Sequence, residues 1–435
     1  MDTFTKVTTR IAIVLSVIFV LVMGGLFVFF NFGDAVKDNG DKSSIWGIGK
    51  LVFSEIQLSY EEEYISNPEG ESEGLLFESS LTSQDWDERH AAGLTNANVL
   101  FYMSLLEERY AFSVLEPELK QLYAEMYLVL YNYAENIPLC STNLTDIKFV
   151  AECIYVDCPE FFYHTGYEYT SNKMKDVVVK ITFSPMYSFT KSEVSEMKNA
   201  INAYATNCLA GIDTQGEDYY KVQYIYEYLI LTTDYDETVE YNQTICSVAL
   251  YNRTVCLGYA RMMQYLLQEL DIQTAIVIGE NSEGVSHAWD LVKIGTAYYY
   301  VDPTWGDASY LQSENTEVLS AINYDYLCVT TDELTKTHRI DSSVPMPRCV
   351  FKYDNYFVRN NCLITNISIE EFDRAFGSSY NVGGAYSIKC ENEKLFAETE
   401  KYLIEGGNIY RFLPNTNAQV RYTKNENMYT YTFFQ

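Results

Sequence analysis

Two β-type stretches joined by the dipeptide Gly295-Thr296 constrain the fold of this chain more than any other feature. Gly-X is typical of a two-residue hairpin turn, so we expect Ile294 to pair with Ala297. Since successive strand residues point to opposite faces, this register places His287 and Asp302 on one face as diagonal neighbours. A four-residue loop would bring them directly opposite. A three-residue loop without a bulge would put them on opposite faces.

A buried helix is predicted to begin at Cys256, just upstream of these strands. The apolar residues that follow it at helical spacing are Ala260, Met263, Leu267 and Leu270. Gly258 would let another segment approach the thiol closely. Because the positive end of a helix dipole favours thiolate over thiol, Cys256 is a candidate nucleophile.

These three side chains complete one another chemically. Cys256 would attack a carbonyl carbon, His287 would accept and return the proton, and Asp302 would fix the imidazole tautomer. The backbone N–H of Cys256 and the side chain of Gln243 are candidates for stabilising an oxyanion. Trp289 and Trp305 are candidate walls of a substrate cleft, with core packing as the alternative.

Three sequence boxes, V-C-L-G-Y-A (255–260), H-A-W (287–289) and V-D-P-T-W-G-D (301–307), resemble the Cys, His and Asp motifs of bacterial transglutaminase-like proteins. Two accessory boxes, T-D-Y-D (233–236) and D-C-P-E-F-F-Y (157–163), resemble further elements of that family. The resemblance implies a papain-like α+β core, with the nucleophile on a helix and the His and Asp on adjacent antiparallel strands. Two positions depart from the family pattern, because Asp290 replaces a frequent Asn and Leu257 a frequent polar residue. We expect the 157–163 box to be a buried turn.

An uncharged apolar run covers residues 11–30, which is about the length that crosses a bilayer as a helix. Lys6 and Arg10 precede the run, so the positive-inside rule places the N-terminus in the cytoplasm and the remainder outside. The run ends without a small-x-small site, which favours an uncleaved anchor over a cleaved signal peptide. We therefore expect a single-pass protein of the cell membrane whose catalytic region is extracellular.

Charge and cysteine content exclude several classes of function. The formal net charge of −30 repels phosphates, so no nucleic-acid partner is expected. The chain has 10 cysteines and 4 histidines but no C-x-x-C pair, so we expect no metal site. The predicted chemistry also needs no cofactor.

Five segments are predicted along the 435 residues of an α+β chain. Residues 1–33 form a cytoplasmic tip and membrane anchor, and 34–84 a polar spacer. Residues 85–200 form a mainly helical region that includes one strand, at 176–183. Residues 201–310 form the catalytic core, and 311–435 a small α+β appendage.

The predicted function is thiol-dependent acyl transfer on a protein or peptide at the cell surface, with cell-wall peptide as one option. A thioester on Cys256 would be resolved by water or by an amine, and the residues do not choose between these outcomes. The alternative is a non-catalytic surface module that keeps the fold and works by binding.

Overall fold

Helices and strands are mixed along the computed structural model, which confirms an α+β chain. The structure describes residues 54–56, 75–307, 322–382, 384–415 and 419–435. None of the helices within these ranges is long and apolar enough to cross a membrane. The predicted anchor at 11–30 and most of the predicted spacer at 34–84 lie outside the described residues.

The helices are α1 (Ser83–Ala91), α2 (Asn96–Leu105), α3 (Tyr110–Ser113), α4 (Pro117–Tyr131), α5 (Leu144–Asp157), α6 (Lys191–Leu209), α7 (Asp218–Thr232), α8 (Ile245–Tyr251), α9 (Cys256–Gln268), α10 (Pro303–Gly306), α11 (Thr331–Leu334), α12 (Tyr356–Arg359), α13 (Ile369–Ser378) and α14 (Glu393–Thr399). The strands are β1 (Ser54–Ile56), β2 (Ile137–Pro138), β3 (His164–Met174), β4 (Val177–Tyr187), β5 (Asp234–Tyr235), β6 (Arg253–Thr254), β7 (Thr274–Asn281), β8 (Ser286–Ile294), β9 (Ala297–Val301), β10 (His338–Ile340), β11 (Leu363–Ile364), β12 (Tyr386–Cys390), β13 (Arg421–Asn425) and β14 (Thr430–Phe434).

The region before the core is built around α4, whose residues from Gln121 to Leu130 are all buried. Pro117 lies in the first turn of α4. Proline is favoured there because the N–H that it lacks would have no acceptor within the helix. A buried ion pair ties α1 to this helix, with Arg89 Nη2 and Glu125 Oε1 2.8 Å apart. The region also holds the long antiparallel pair β3–β4, of which the sequence predicted only the second strand.

The accessory box at 157–163 is a buried turn, as predicted, and it joins this region to the core. The Asp157 carboxylate accepts the N–H groups of Ala111 (2.9 Å) and Phe112 (3.0 Å) at the start of α3. The backbone carbonyl oxygen of Asp157 accepts hydrogen bonds from Arg109 Nη1 at 2.8 Å and from Gln268 Nε2 at 2.9 Å. Because Gln268 ends α9, this turn holds the helix that carries the candidate nucleophile.

The core sheet has the strand order β10-β7-β8-β9. Strands β7, β8 and β9 are consecutive antiparallel neighbours, whereas β10 returns from beyond residue 322 to pair with β7. Buried residues between 322 and 362 belong to the same hydrophobic core as α9. The predicted core boundary at 310 is therefore too early, because the sheet is completed by a strand from the segment assigned to the appendage.

A second hydrophobic core marks the C-terminal appendage. It contains buried residues from Ile364 to Phe433, under the sheet β11-β12-β14-β13 and beside α13 and α14. Residues 363–434 thus combine helices and strands around a hydrophobic core of their own.

Candidate active site

The candidate nucleophile lies at the first residue of α9. Val255, the N-cap residue, has extended backbone angles (φ −110°, ψ −178°), and Cys256 opens the helix as predicted. All ten cysteines are free and buried, and Cys256, at 8% exposed, is the most accessible of them. The first N–H groups of a helix have no intrahelical acceptor, so they can stabilise negative charge beside this thiol.

A small polar cluster holds the chain against the start of α9. The carbonyl oxygen of Asn242 accepts the Val255 N–H at 3.2 Å and the Thr254 hydroxyl at 2.7 Å. The Ser247 hydroxyl lies 2.8 Å from Thr254 Oγ1. A Cβ at Gly258 would meet Thr254 Oγ1 at 1.8 Å and the Asn242 oxygen at 2.7 Å, so only glycine fits this close approach.

The predicted hairpin register is confirmed. Ile294 pairs with Ala297 across Gly295-Thr296, and the ladder runs back to Asp290 opposite Val301. His287 and Asp302 therefore share one face, and His287 Nε2 lies 2.7 Å from Asp302 Oδ2.

Asp302 is held by the turn that follows it. It is the N-cap of α10, and its Oδ1 accepts the N–H groups of Thr304 (2.9 Å) and Trp305 (3.1 Å). Pro303 suits the first position of that helix because its fixed φ is already helical. The D-P-T-W box thus encodes a capped turn that leaves the second carboxylate oxygen free to face His287.

Electrostatics favours a charged His287–Asp302 pair. Burial alone would lower the pKa of His287, but the charge and hydrogen bond of Asp302 and a hydrogen bond with Cys256 outweigh it and raise the pKa to about 10. Burial alone would raise the pKa of the Asp302 carboxyl, but His287, together with hydrogen bonding from His338, lowers it. His287 is therefore readily protonated, as the partner of a thiolate must be.

The geometry also assigns the imidazole tautomer. An ionised carboxylate can only accept, so His287 Nε2 donates to Asp302. The Nδ1 atom then faces Cys256, where it can take the thiol proton and later return it.

His338 is a site residue that sequence reasoning did not find. Its Nε2 lies 3.1 Å from Asp302 Oδ2, the oxygen that His287 also contacts, and its side chain is fully buried. It belongs to β10 and follows Asp302 by 36 residues, with no motif around it. The residues around a histidine in a three-residue strand do not indicate that this strand will pair with the core sheet.

Among the described residues, one group of three side chains brings candidate metal ligands together. The ligand atoms of His287, Asp302 and His338 all lie within 4.8 Å of one another. The two imidazole–carboxylate contacts have ordinary hydrogen-bond lengths, which accounts for the arrangement without an ion.

The remaining candidate residues, Trp289, Trp305 and Gln243, differ in how exposed their side chains are. Trp289 is fully buried and packs beside the rings of His287 and His338, so it does not line an open cleft. Trp305 is partly exposed, with its ring 4.5 Å from His338 and 6.0 Å from His287. Gln243 follows the clamped Asn242, and its Oε1 is buried with no hydrogen-bond partner among the described residues.

Asp290, the departure from the family pattern, is fully buried on β8. Neither carboxylate oxygen has a partner within the described part of the chain. Burial, with a smaller contribution from the charge of Asp302, raises the pKa of Asp290 well above its usual value. Burial without a hydrogen-bond partner in the described ranges therefore favours the neutral form of this carboxyl.

The site lies in a segment that matches a known protein family. The family model of the transglutaminase-like superfamily matches residues 203–303, the segment that carries all three side chains. No curated protein matches the chain.

Solved structures give weaker similarities. One described as a TGase is 14% identical, with a TM-score of 0.25, over 35% of this chain and 53% of its own. A candidate cysteine protease from Cytophaga hutchinsonii is also 14% identical, with a TM-score of 0.22, over 29% of this chain and 52% of its own. The chain thus spans about half the length of these two proteins, and similarities this weak carry no argument. It is the family match that assigns residues 203–303 of this chain to the transglutaminase-like superfamily.

Proposed function

We propose that this protein catalyses acyl transfer from protein or peptide amides through a thioester on Cys256. The proposal depends on one observation, which is that His287 forms hydrogen bonds with both Cys256 and Asp302. The superfamily assignment supports a thiol-dependent enzyme in general. The substrate class and the reaction outcome are part of the proposal.

Each step follows from the groups at the site. The Cys256 thiolate adds to the amide carbonyl carbon, and the oxyanion is stabilised by the Cys256 N–H and by the side-chain amide of Gln243. Protonated His287 gives its proton to the leaving amine, the C–N bond breaks and the thioester remains. Water or a second amine then attacks the thioester while His287 takes its proton. The products are an acid or a new amide, together with the regenerated thiolate.

The location of the reaction belongs to the same proposal. Residues 11–30 would anchor the chain in the cell membrane, with the catalytic region extracellular and a protein or cell-wall peptide as substrate. Such a location is compatible with ten cysteines that are all buried and free, since burial protects thiols from oxidants.

The decisive experiment measures the reactivity of each cysteine by mass spectrometry after brief exposure to iodoacetamide at about pH 7. Burial raises the pKa of the other nine thiols. The pKa rises to about 12 for five of them (Cys208, Cys246, Cys349, Cys362, Cys390) and is raised well above its ordinary value for Cys140, Cys153, Cys158 and Cys328. They serve as internal controls, and we expect rapid labelling at Cys256 alone.

The matched variants are His287→Ala and His90→Ala, the latter on an exposed face of α1. Labelling of Cys256 should slow by about 100-fold in His287→Ala, within the range for loss of a general base, and stay unchanged in His90→Ala. If Cys256 in the wild type is no more reactive than the other nine thiols, the enzyme proposal fails. The non-catalytic binding module then takes its place.

A further inference from the structure

A second imidazole touches the carboxylate of the proposed triad. His338 Nε2 lies 3.1 Å from Asp302 Oδ2, and His287 Nε2 lies 2.7 Å from the same atom. With the N–H groups of Thr304 and Trp305 on Oδ1, the carboxylate accepts four hydrogen bonds. One of the four comes from a side chain that changes its protonation during the proposed reaction.

His338 itself is firmly held. Its Nδ1 lies 2.9 Å from the Thr337 hydroxyl, which lies 3.2 Å from the Tyr326 hydroxyl. Since an ionised carboxylate can only accept, His338 Nε2 carries a proton and donates it to the hydrogen bond with Asp302.

Three aromatic rings surround the His338 ring. The rings of Trp289, Trp305 and Tyr326 lie 4.9, 4.5 and 5.4 Å from it. Strand β10 is pressed against β7, where a Cβ at Gly279 would meet the Arg339 carbonyl oxygen at 2.1 Å. The donor that faces Asp302 is thus fixed by backbone pairing and by ring packing together.

We propose that His338 is a positioning residue that holds the Asp302 carboxylate, and through it His287, in the orientation needed for proton exchange with Cys256. The inference rests on the proposed function. Without His338, Asp302 Oδ2 would accept a hydrogen bond from His287 alone, and that bond weakens whenever His287 becomes neutral. His338 supplies a hydrogen bond that persists in both protonation states.

The experiment compares His338→Leu, which removes the donor at similar volume, with His338→Gln, whose amide nitrogen can reach the position of Nε2. The readouts are the rate of Cys256 alkylation, the unfolding midpoint and the zinc content of the purified protein. Leu should slow alkylation by about 10- to 100-fold, or about 1.4–2.8 kcal/mol at 1.4 kcal/mol per tenfold. That range fits one hydrogen bond to a charged group. Gln should restore the rate to within about threefold, since it restores that same bond.

A control and three contrary outcomes make the test decisive. His164→Leu removes another histidine, on β3, and should leave alkylation unchanged. An unchanged rate in His338→Leu would show that the hydrogen bond to Asp302 is not needed. An equal loss in Leu and Gln at equal stability would show that the shape of the ring matters and the hydrogen bond does not. Stoichiometric zinc whose removal activates the wild type would make His338 a metal ligand instead. A wild type without selective Cys256 reactivity defeats the proposed function itself and is recognised before any His338 variant is made.

Discussion

The close approach at Gly258 gives the sharpest structural prediction. In Gly258→Ala the new Cβ would lie 1.8 Å from Thr254 Oγ1 and 2.7 Å from the Asn242 carbonyl oxygen. Thr254 cannot turn aside freely, because its hydroxyl bridges the Asn242 oxygen at 2.7 Å and the Ser247 hydroxyl at 2.8 Å.

The magnitude follows from three contributions. Overpacking costs about 1–3 kcal/mol, and the loss of two hydrogen bonds adds about 1–3 kcal/mol. Alanine recovers about 1 kcal/mol through its higher helix propensity. We therefore expect the free energy of unfolding to fall by about 1–5 kcal/mol in Gly258→Ala. Because the displaced segment precedes Cys256 directly, alkylation of that thiol should also slow.

Urea unfolding and alkylation kinetics measure the two effects. Gly377→Ala is the matched control, since Gly377 also lies in a helix but a Cβ there meets nothing within 4 Å. That control should be neutral or slightly stabilising. Equal stability of Gly258→Ala and Gly377→Ala would refute the packing argument, and so would a stable Gly258→Ala with normal Cys256 reactivity.

Three further predictions concern buried charge. The pKa of His287 is raised to about 10 from an ordinary 6.5, so its contribution to stability is complete below about pH 6.5 and is lost as the pH rises through about 10. Between pH 6.5 and pH 10, the free energy of unfolding should therefore fall more in the wild type than in His287→Gln. Asp290→Asn should raise the free energy of unfolding at pH 7 by about 1–3 kcal/mol, because folding at that pH requires the buried carboxyl to take up a proton and an amide avoids this cost. A fall in the free energy of unfolding with unchanged alkylation would contradict this. Arg89→Met should lower the free energy of unfolding, measured with urea, by about 3–5 kcal/mol, because Glu125 is left buried without its partner. Adding Glu125→Gln to the same chain should recover part of that loss.

The N-terminal region shows where local patterns stop being informative. The second strand of the β3–β4 pair was predicted from its run of β-branched residues, but the first, His164–Met174, was not. Its sequence, H-T-G-Y-E-Y-T-S-N-K-M, mixes polar residues and glycine, and it becomes a strand by pairing with β4. Pairing with a neighbouring strand thus overrides weak local propensity.

The amino-acid sequence by itself determined the helix that begins at Cys256, the two-residue hairpin and the shared face of His287 and Asp302. These features depend on interactions between residues close in sequence, namely helical spacing, turn chemistry and the two-residue period of a strand. Only the tertiary structure decided that β10 completes the core sheet, that the core extends to about residue 362, and that His338 shares an oxygen of Asp302. Asp302 and His338 are 36 residues apart in the sequence, so local rules do not decide their contact, which depends on the packing of β10 against Gly279 and on the surrounding rings.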